Sequence, residues 1–232
     1  PGTGPAAYLD AATLIRAALD AGCEAIHPGY GFLSEQSDFA RRCGEAGIVF
    51  VGPSSECLEQ LGDKTRARRL AEDCGVPVLR GTPADLTSDD AKRFLDSLTP
   101  GRGILVKAVC GGGGRGLRIV RRPDEVEEAL RRCRSEAQAA FGRGEIFAEE
   151  WLPRARHIEI QVLGDGTGAV TVFCERECSV QRRYQKLVEL SPCPSLSEEL
   201  RARLLDDALR MARALGYRGA GTFEFLVDAD RD

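Results

Sequence analysis

Lys107 interrupts an otherwise apolar run, Ile104-Leu105-Val106-Lys107-Ala108-Val109. Directly behind it come Cys110, four consecutive glycines (Gly111 to Gly114), Arg115 and Gly116. A lysine inside an apolar run costs free energy unless it is paired. Glycines without Cβ let backbone N–H groups turn toward an anion at close range. A fixed positive charge beside such a loop suggests a nucleotide phosphate. Gly111, Gly113 and Gly116 match G-x-G-x-x-G, but a dinucleotide fold needs a helix opening at the last glycines. Here Leu117-Arg118-Ile119-Val120 reads as a short β-run with Pro123 soon after, so the loop joins two strands. No Gly-Lys-Ser/Thr closes it as a Walker A loop. A protein kinase places its lysine after the loop and adds His-Arg-Asp and Asp-Phe-Gly, which this chain lacks. The plain alternative is a glycine hairpin without a ligand.

Further residues have types suited to chemistry. Only four of the 32 basic residues are lysines: Lys64, Lys92, Lys107 and Lys186. Lys64 opens a helix behind Asp63, a candidate N-cap, and a surface lysine is the default reading. Glu149-Glu150-Trp151-Leu152-Pro153 ends a strand with two acids and the chain's one tryptophan. Such a strand end offers apolar side chains and backbone edges to an adenine ring, or an ordinary aromatic core residue. His157 shares the polar face of its strand with Glu159 and Gln161. The patch Gln181-Arg182-Arg183-Tyr184-Gln185-Lys186 reads as solvated surface or as an anion site in which Lys186 meets a small carboxylate or carbonate. Glu224, between Phe223 and Phe225, reads as an edge-strand acid, or as a magnesium ligand given a second carboxylate close by.

These residues need elements to position them. Apolar spacing predicts helices over 8–20, Phe39–Gly47, Asp63–Cys74, Ser88–Leu98, Asp124–Ala140 and 197–215. Strands are expected at Glu24–His27, Ile48–Val51, on both sides of the glycine loop, and at Glu145–Glu149, His157–Leu163, Val170–Cys174 and Gly221–Val227. In His157–Leu163, Ile158, Ile160 and Val162 face one way, and His157, Glu159 and Gln161 the other. The early alternation reads as α/β with parallel strands, and a boundary falls near residues 52–62.

The chain has 232 residues, 43% hydrophobic and 29% charged, enough for one large or two modest domains. A net charge of −4 argues against a general nucleic-acid binder. Nine cysteines without a C-x-x-C pair read as small apolar residues in a reducing cytoplasm; Cys174 and Cys178 lack the partners of a zinc site. No stretch of these residues reads as a signal peptide, and no apolar run is long enough to cross a membrane.

In chain order, His27-Pro28-Gly29-Tyr30-Gly31-Phe32-Leu33-Ser34-Glu35, Gly62-Asp63-Lys64, Lys107 with its loop, Arg156-His157-Ile158-Glu159-Ile160-Gln161-Val162, Cys178-Ser179-Val180-Gln181-Arg182-Arg183 and Gly219-Ala220-Gly221-Thr222-Phe223-Glu224-Phe225 resemble the biotin carboxylase domain or subunit of biotin-dependent carboxylases. The resemblance covers nearly the whole chain. It implies an α/β and α+β fold: an ATP-grasp core over 61–232, with a lid at about 79–151, preceded over 1–60 by the remnant of an α/β N-terminal domain. The implied reaction is ATP-dependent carboxylation of biotin on a carrier protein or domain. Bicarbonate attacks the γ-phosphate to give carboxyphosphate, which yields CO₂ for biotin. ATP, Mg²⁺ or Mn²⁺, carrier-bound biotin, a carboxyltransferase and a homodimer in the full protein are the implied cofactors and partners.

Residue by residue, the resemblance assigns Lys64, Lys107, Gly113 and Gly114 to ATP phosphates, Glu149, Glu150, Trp151 and Leu152 to adenine, and His157, Gln181 and Tyr184 to the nucleotide site. Lys186 matches a bicarbonate ligand of catalytic importance, Glu224 a metal ligand, and His27–Glu35 the biotin side. The sequence departs at Cys110 (the loop's first glycine), Glu150 (commonly lysine), Trp151 (commonly tyrosine or phenylalanine), Tyr184 (usually histidine) and Leu190 (commonly glutamate). It also stops before the strand that in this family carries Glu-x-Asn-x-Arg, and starts after the first strand and helix. The expectation is an excerpt, truncated at both ends and inactive alone. A carbamoyl phosphate synthetase-like ligase and a non-catalytic ATP-grasp module are the alternatives.

Overall fold

The computed structural model describes residues 3–109, 116–182 and 184–230. After a 3₁₀ turn at Pro5–Leu9, the chain runs α1 (Ala11–Asp20), β1 (Ala25–Ile26), α2 (Ser37–Glu45) and β2 (Val49–Phe50). Asp10 caps α1 by accepting a hydrogen bond from the Thr13 N–H, which splits the single helix expected over 8–20. β1 and β2 pair in parallel, as the early alternation implied. Ile15, Phe39, Cys43, Ile48, Phe50 and Leu58 bury together around them.

Where the sequence showed only a boundary, the structure has α3 (Ser55–Gly62), started by Ser54. Its short apolar set (Cys57, Leu58, Leu61) gives a weak periodic signal. α4 (Lys64–Asp73) follows at once, with Asp63 accepting from the Thr65 and Arg66 N–H groups. α5 (Ser88–Asp96) carries a Thr87/Asp90 capping box.

β3 (Gly103–Ala108), β4 (Leu117–Val120) and β5 (Ile146–Trp151), with α6 (Val126–Phe141) between the last two, form an antiparallel sheet of order β4-β3-β5. Lys107 pairs with Leu117, so the glycine run does connect two antiparallel strands. Residues 110–115, including the phosphate candidates Gly113 and Gly114, lie outside the described residues, as does Arg183. One face of this sheet packs on α5 and α6 through Ile104, Val106, Val120, Val126, Leu130 and Ile146.

β6 (Ala155–Asp165), β7 (Val170–Arg182), β8 (Gln185–Leu190), α7 (Glu198–Ala214) and β9 (Arg218–Asp228) complete the chain. The strands form an antiparallel sheet of order β8-β7-β6-β9. Ile158, Ile160 and Val162 bury completely and meet Leu204, Ala208 and Met211 of α7. Each such side chain contributes about 1.5–3 kcal/mol. β6 and β7 outrun the strands expected at 157–163 and 170–174. The basic stretch 181–186 is therefore a strand end, a turn and a strand start. The mix of parallel α/β and antiparallel α+β parts bears out the expected fold class. Gly221 of β9 is required where it stands, because a Cβ there would collide with the Tyr217 hydroxyl.

Candidate functional site

Two ionic clusters gather the sequence candidates. The first lies on the face of β3 and β5 turned away from α5 and α6. Leu105 is opposite Glu149, so Lys107 and Glu149 sit on a diagonal of the antiparallel pair. That diagonal is within reach of long side chains. Lys107 Nζ donates to Glu149 Oε2, and Arg68 Nη1 donates to Oε1 at 2.6 Å. Arg68 comes from α4, one turn after Lys64, so both leave the same helical face. Lys64 Nζ donates to the Ala108 carbonyl at 3.3 Å. α4 meanwhile buries Ala71 in the core beneath the four-stranded sheet. The helix thus links the two sheets. Burial by itself would raise the Glu149 carboxyl; Lys107 and Arg68 outweigh it and hold it below the usual carboxylate range.

The lysine in the apolar run is thus paired, by an acid that sequence reading assigned to adenine instead. At the same strand end, the Glu150 N–H donates to the Arg80 carbonyl at 2.8 Å. The Trp151 ring carries the Arg121 guanidinium at 4.4 Å. Half-buried Leu152 follows the end of β5.

The second cluster lies on the polar face of the four-stranded sheet. Glu159 of β6 stands opposite Glu224 of β9. Two carboxylates in direct register repel unless a cation intervenes. Lys186, from β8, is that cation: its Nζ donates to Glu159 and, at 2.8 Å, to Glu224. The Glu159 side chain is 5% exposed and that of Glu224 53%. Arg176 also donates to Glu159, and its Nη1 reaches Gln161 at 3.1 Å. His157 Nδ1 meets Gln181 Nε2 at 2.8 Å, and His157 Nε2 lies 3.5 Å from Glu224.

The hydrogen bond from His157, with that from Lys186, holds the Glu224 carboxyl down at about 2. Burial opposes the charge on Lys186, and its hydrogen bonds to Glu159 and Glu224 overcome this and raise its pKa. Burial likewise opposes the Glu159 charge, and Lys186 and Arg176 reverse it.

Lys186, His157, Gln181 and Glu224 therefore meet, although they come from four strands. Tyr184 sits at φ +64° in the β7–β8 turn with its residue about half exposed. Glu159, Arg176, Arg68 and the pairing role of Glu149 went unassigned in sequence. The alternation that put Glu159 beside His157 was the available signal.

Among the described residues, one set of three groups comes near enough to hold a metal. Glu159, Cys178 and Glu189 bring their ligand atoms within 4.8 Å of one another. Burial lifts the Cys178 thiol to about 11, so it stays protonated, and Glu159 is engaged by two cations. A protonated thiol is a poor ligand. Glu224 fits better. It is ionised and half exposed, and its oxygens suit a hard divalent ion.

Residues 63–232 match the model of the carbamoyl-phosphate synthase L chain ATP-binding domain, and residues 1–58 match that of the biotin carboxylase N-terminal domain. The chain belongs to the biotin carboxylase family. Pyruvate carboxylase 1 of Caenorhabditis elegans is 54% identical over 96% of the chain and 19% of its own length. The mitochondrial pyruvate carboxylase of Homo sapiens is 49% identical, again over 96% of the chain and 19% of the relative. Among solved structures, the biotin carboxylase domain of Hydrogenobacter thermophilus 2-oxoglutarate carboxylase, in complex with MgADP, ADP and bicarbonate, aligns with a TM-score of 0.94. It is 42% identical, over 100% of this chain and 51% of that one. Biotin carboxylase of Campylobacter jejuni, in a β,γ-ATP complex, gives 0.94 and 43% over 99% and 51%. The chain thus spans about a fifth of the curated relatives and about half of these biotin carboxylase chains.

Proposed function

We propose that this chain is the nucleotide-clamping part of an ATP-dependent ligase that carboxylates biotin on a carrier protein or domain, using bicarbonate. The observation that carries the proposal is the placement of Lys186 between Glu159 and Glu224, with His157 and Gln181 alongside. One ammonium between an inner and an outer carboxylate provides a cation for an anionic substrate and an acid for a metal, side by side. In this reading the division is the expected one: 1–60 as the N-terminal domain remnant, 61–232 as the ATP-grasp part, about 79–151 as its lid.

Lys64, Lys107 and the loop glycines Gly113 and Gly114 take the ATP phosphates. The strand end from Glu149 to Leu152 passes along the adenine. His157, Gln181 and Tyr184 border the nucleotide. Lys186 binds bicarbonate and orients it toward the γ-phosphoryl group; positioning and charge stabilisation are what such a transfer needs from a protein. Mg²⁺ held at Glu224 would neutralise phosphate charge. Biotin then takes CO₂ from the decomposing carboxyphosphate. A carboxyltransferase and carrier, on the same or other chains, a dimeric assembly and a cytoplasmic address complete the proposal. The free thiols of all eight described cysteines suit a reducing compartment. Among the described residues no helix is long and apolar enough to cross a membrane.

The test is ATP turnover by the complete protein containing this chain, with and without bicarbonate and free biotin. Turnover should require bicarbonate, and Lys186→Ala should lower it about 100-fold or more, the usual cost of a lost charge-stabilising donor. Bicarbonate-independent turnover, or full activity in the variant, refutes the proposal.

A further inference from the structure

Lys186 is asked to do two things that exclude each other. Its ammonium donates to Glu224, yet the proposed function needs Glu224 for a divalent cation and Lys186 for an anion. A metal ion at the Glu224 carboxylate repels an ammonium at the same oxygens. The arrangement resolves this through the unequal settings of the two carboxylates. Glu159 is buried and held by Arg176, whose other nitrogen is fixed by Gln161. Glu224, on the outer strand of the sheet among the described residues, is half exposed. An ammonium has three donors and can give up one without losing its place.

We propose that Glu159 is a positioning residue, the pivot that keeps Lys186 in the site when a divalent cation takes Glu224, so that metal loading turns Lys186 from a partner of Glu224 into a partner of the bicarbonate anion. Without metal, Lys186 is the resident cation of a carboxylate pair that would otherwise repel. With metal, the ion assumes that duty, and Lys186 keeps one carboxylate and regains a donor. His157, which also faces Glu224, stays with Gln181 through its other ring nitrogen. The inference rests on the biotin carboxylase reading, because that reading supplies the metal and the anion.

The test is Mn²⁺ binding to the complete protein with ADP present, followed by electron paramagnetic resonance, which needs no turnover. Lys186→Met removes the competitor and should tighten Mn²⁺ about three- to fivefold, the scale of a partly exposed ion pair. Glu159→Gln removes the pivot, leaves Lys186 wholly on Glu224 and should weaken Mn²⁺ by a similar factor. In the Lys186→Met background the same Glu159→Gln change should have almost no effect, because Glu159 acts through Lys186. Glu159→Asp, which keeps the charge but shortens the reach, should fall between wild type and Glu159→Gln, and matters most if Glu159→Gln does not fold. Equal effects of the Glu159 changes in both backgrounds would mean a general field effect and would overturn the pivot alone. So would Lys186→Met with unchanged Mn²⁺ affinity. Wild-type protein that binds no Mn²⁺ with ADP would overturn the biotin carboxylase reading as well.

Discussion

The two ionic clusters are built on opposite ratios. Beside the β3–β5 pair, Lys107 and Arg68 share a single carboxylate, Glu149, and Lys64 reaches the neighbouring Ala108 carbonyl. On the β8-β7-β6-β9 sheet, Lys186 and Arg176 serve Glu159, Glu224 and, at 4.0 Å from Arg176, Glu189. Of the groups named, the first has cations in excess and suits phosphate. The second has carboxylates in excess and suits a metal beside an anion. Burial differs too. Glu149 is sunk between its partners, whereas Glu224 is reachable from solvent. A buried ion pair is costly to break, and a half-exposed one is easily rearranged. The first cluster is suited to hold a shape and the second to change partners.

The largest effect should come from breaking the first cluster. Glu149→Gln leaves Lys107 and Arg68 without their shared counter-charge and should cost about 3 kcal/mol. For a chain of this size that lowers the thermal midpoint by roughly 6–12 °C, measurable by circular dichroism. Glu224→Gln should cost no more than about 1 kcal/mol. Equal losses in the two variants would erase the contrast between the clusters.

Ligand binding should separate the clusters next. Lys107→Met should weaken ADP binding about 10- to 100-fold by calorimetry, the worth of a charged hydrogen bond. Lys186→Met should leave ADP affinity within about twofold when no metal is present, since its role is directed to the anion and metal. A comparable loss in both would place Lys186 on the nucleotide.

Acid unfolding sharpens the same comparison. Both Glu149 and Glu224 have carboxyls held below the ordinary 4.5. Each therefore adds stability above that value, and the contribution disappears as pH falls. For Glu224 the loss spans roughly pH 4.5 down to about 2. Glu149→Gln and Glu224→Gln should each flatten the acid limb of the stability curve, because each removes a carboxylate whose protonation on acidification favours the unfolded chain. The smallest effect should follow Arg121→Ala, which uncovers Trp151. A cation–π contact at such a site is worth about 0.5–1 kcal/mol. As Trp151 is the sole tryptophan, its emission should shift toward that of a solvent-exposed indole.

Much of this was legible before the fold. Alternation placed Ile158, Ile160 and Val162 in the core and His157, Glu159 and Gln161 opposite, and all of the first three are completely buried. The two strands around the glycine loop were readable from their β-runs. α3 was not, because its eight residues carry too few apolar positions to stand out. The extension of β7 through Arg182 was not, because charged residues there looked like surface. The ion pairs of Glu149 were not legible either. Its neighbours suggested adenine, while its partners lie 42 and 81 positions away.

Residue types, alternation and caps are local, and the sequence by itself determined them: which strands carry a polar face, where α4 starts, and that a lysine in an apolar run needs a reason. The order of its motifs also set the family. Tertiary structure alone decided which charge meets which. The register of β6 against β9 placed Glu159 opposite Glu224, and the arrival of β8 put Lys186 between them. The packing of α4 brought Arg68 to Glu149. Those pairings depend on contacts between segments far apart in the chain, where strand register and helix docking are chosen by burial of whole apolar faces and not by the spacing of the charged residues themselves.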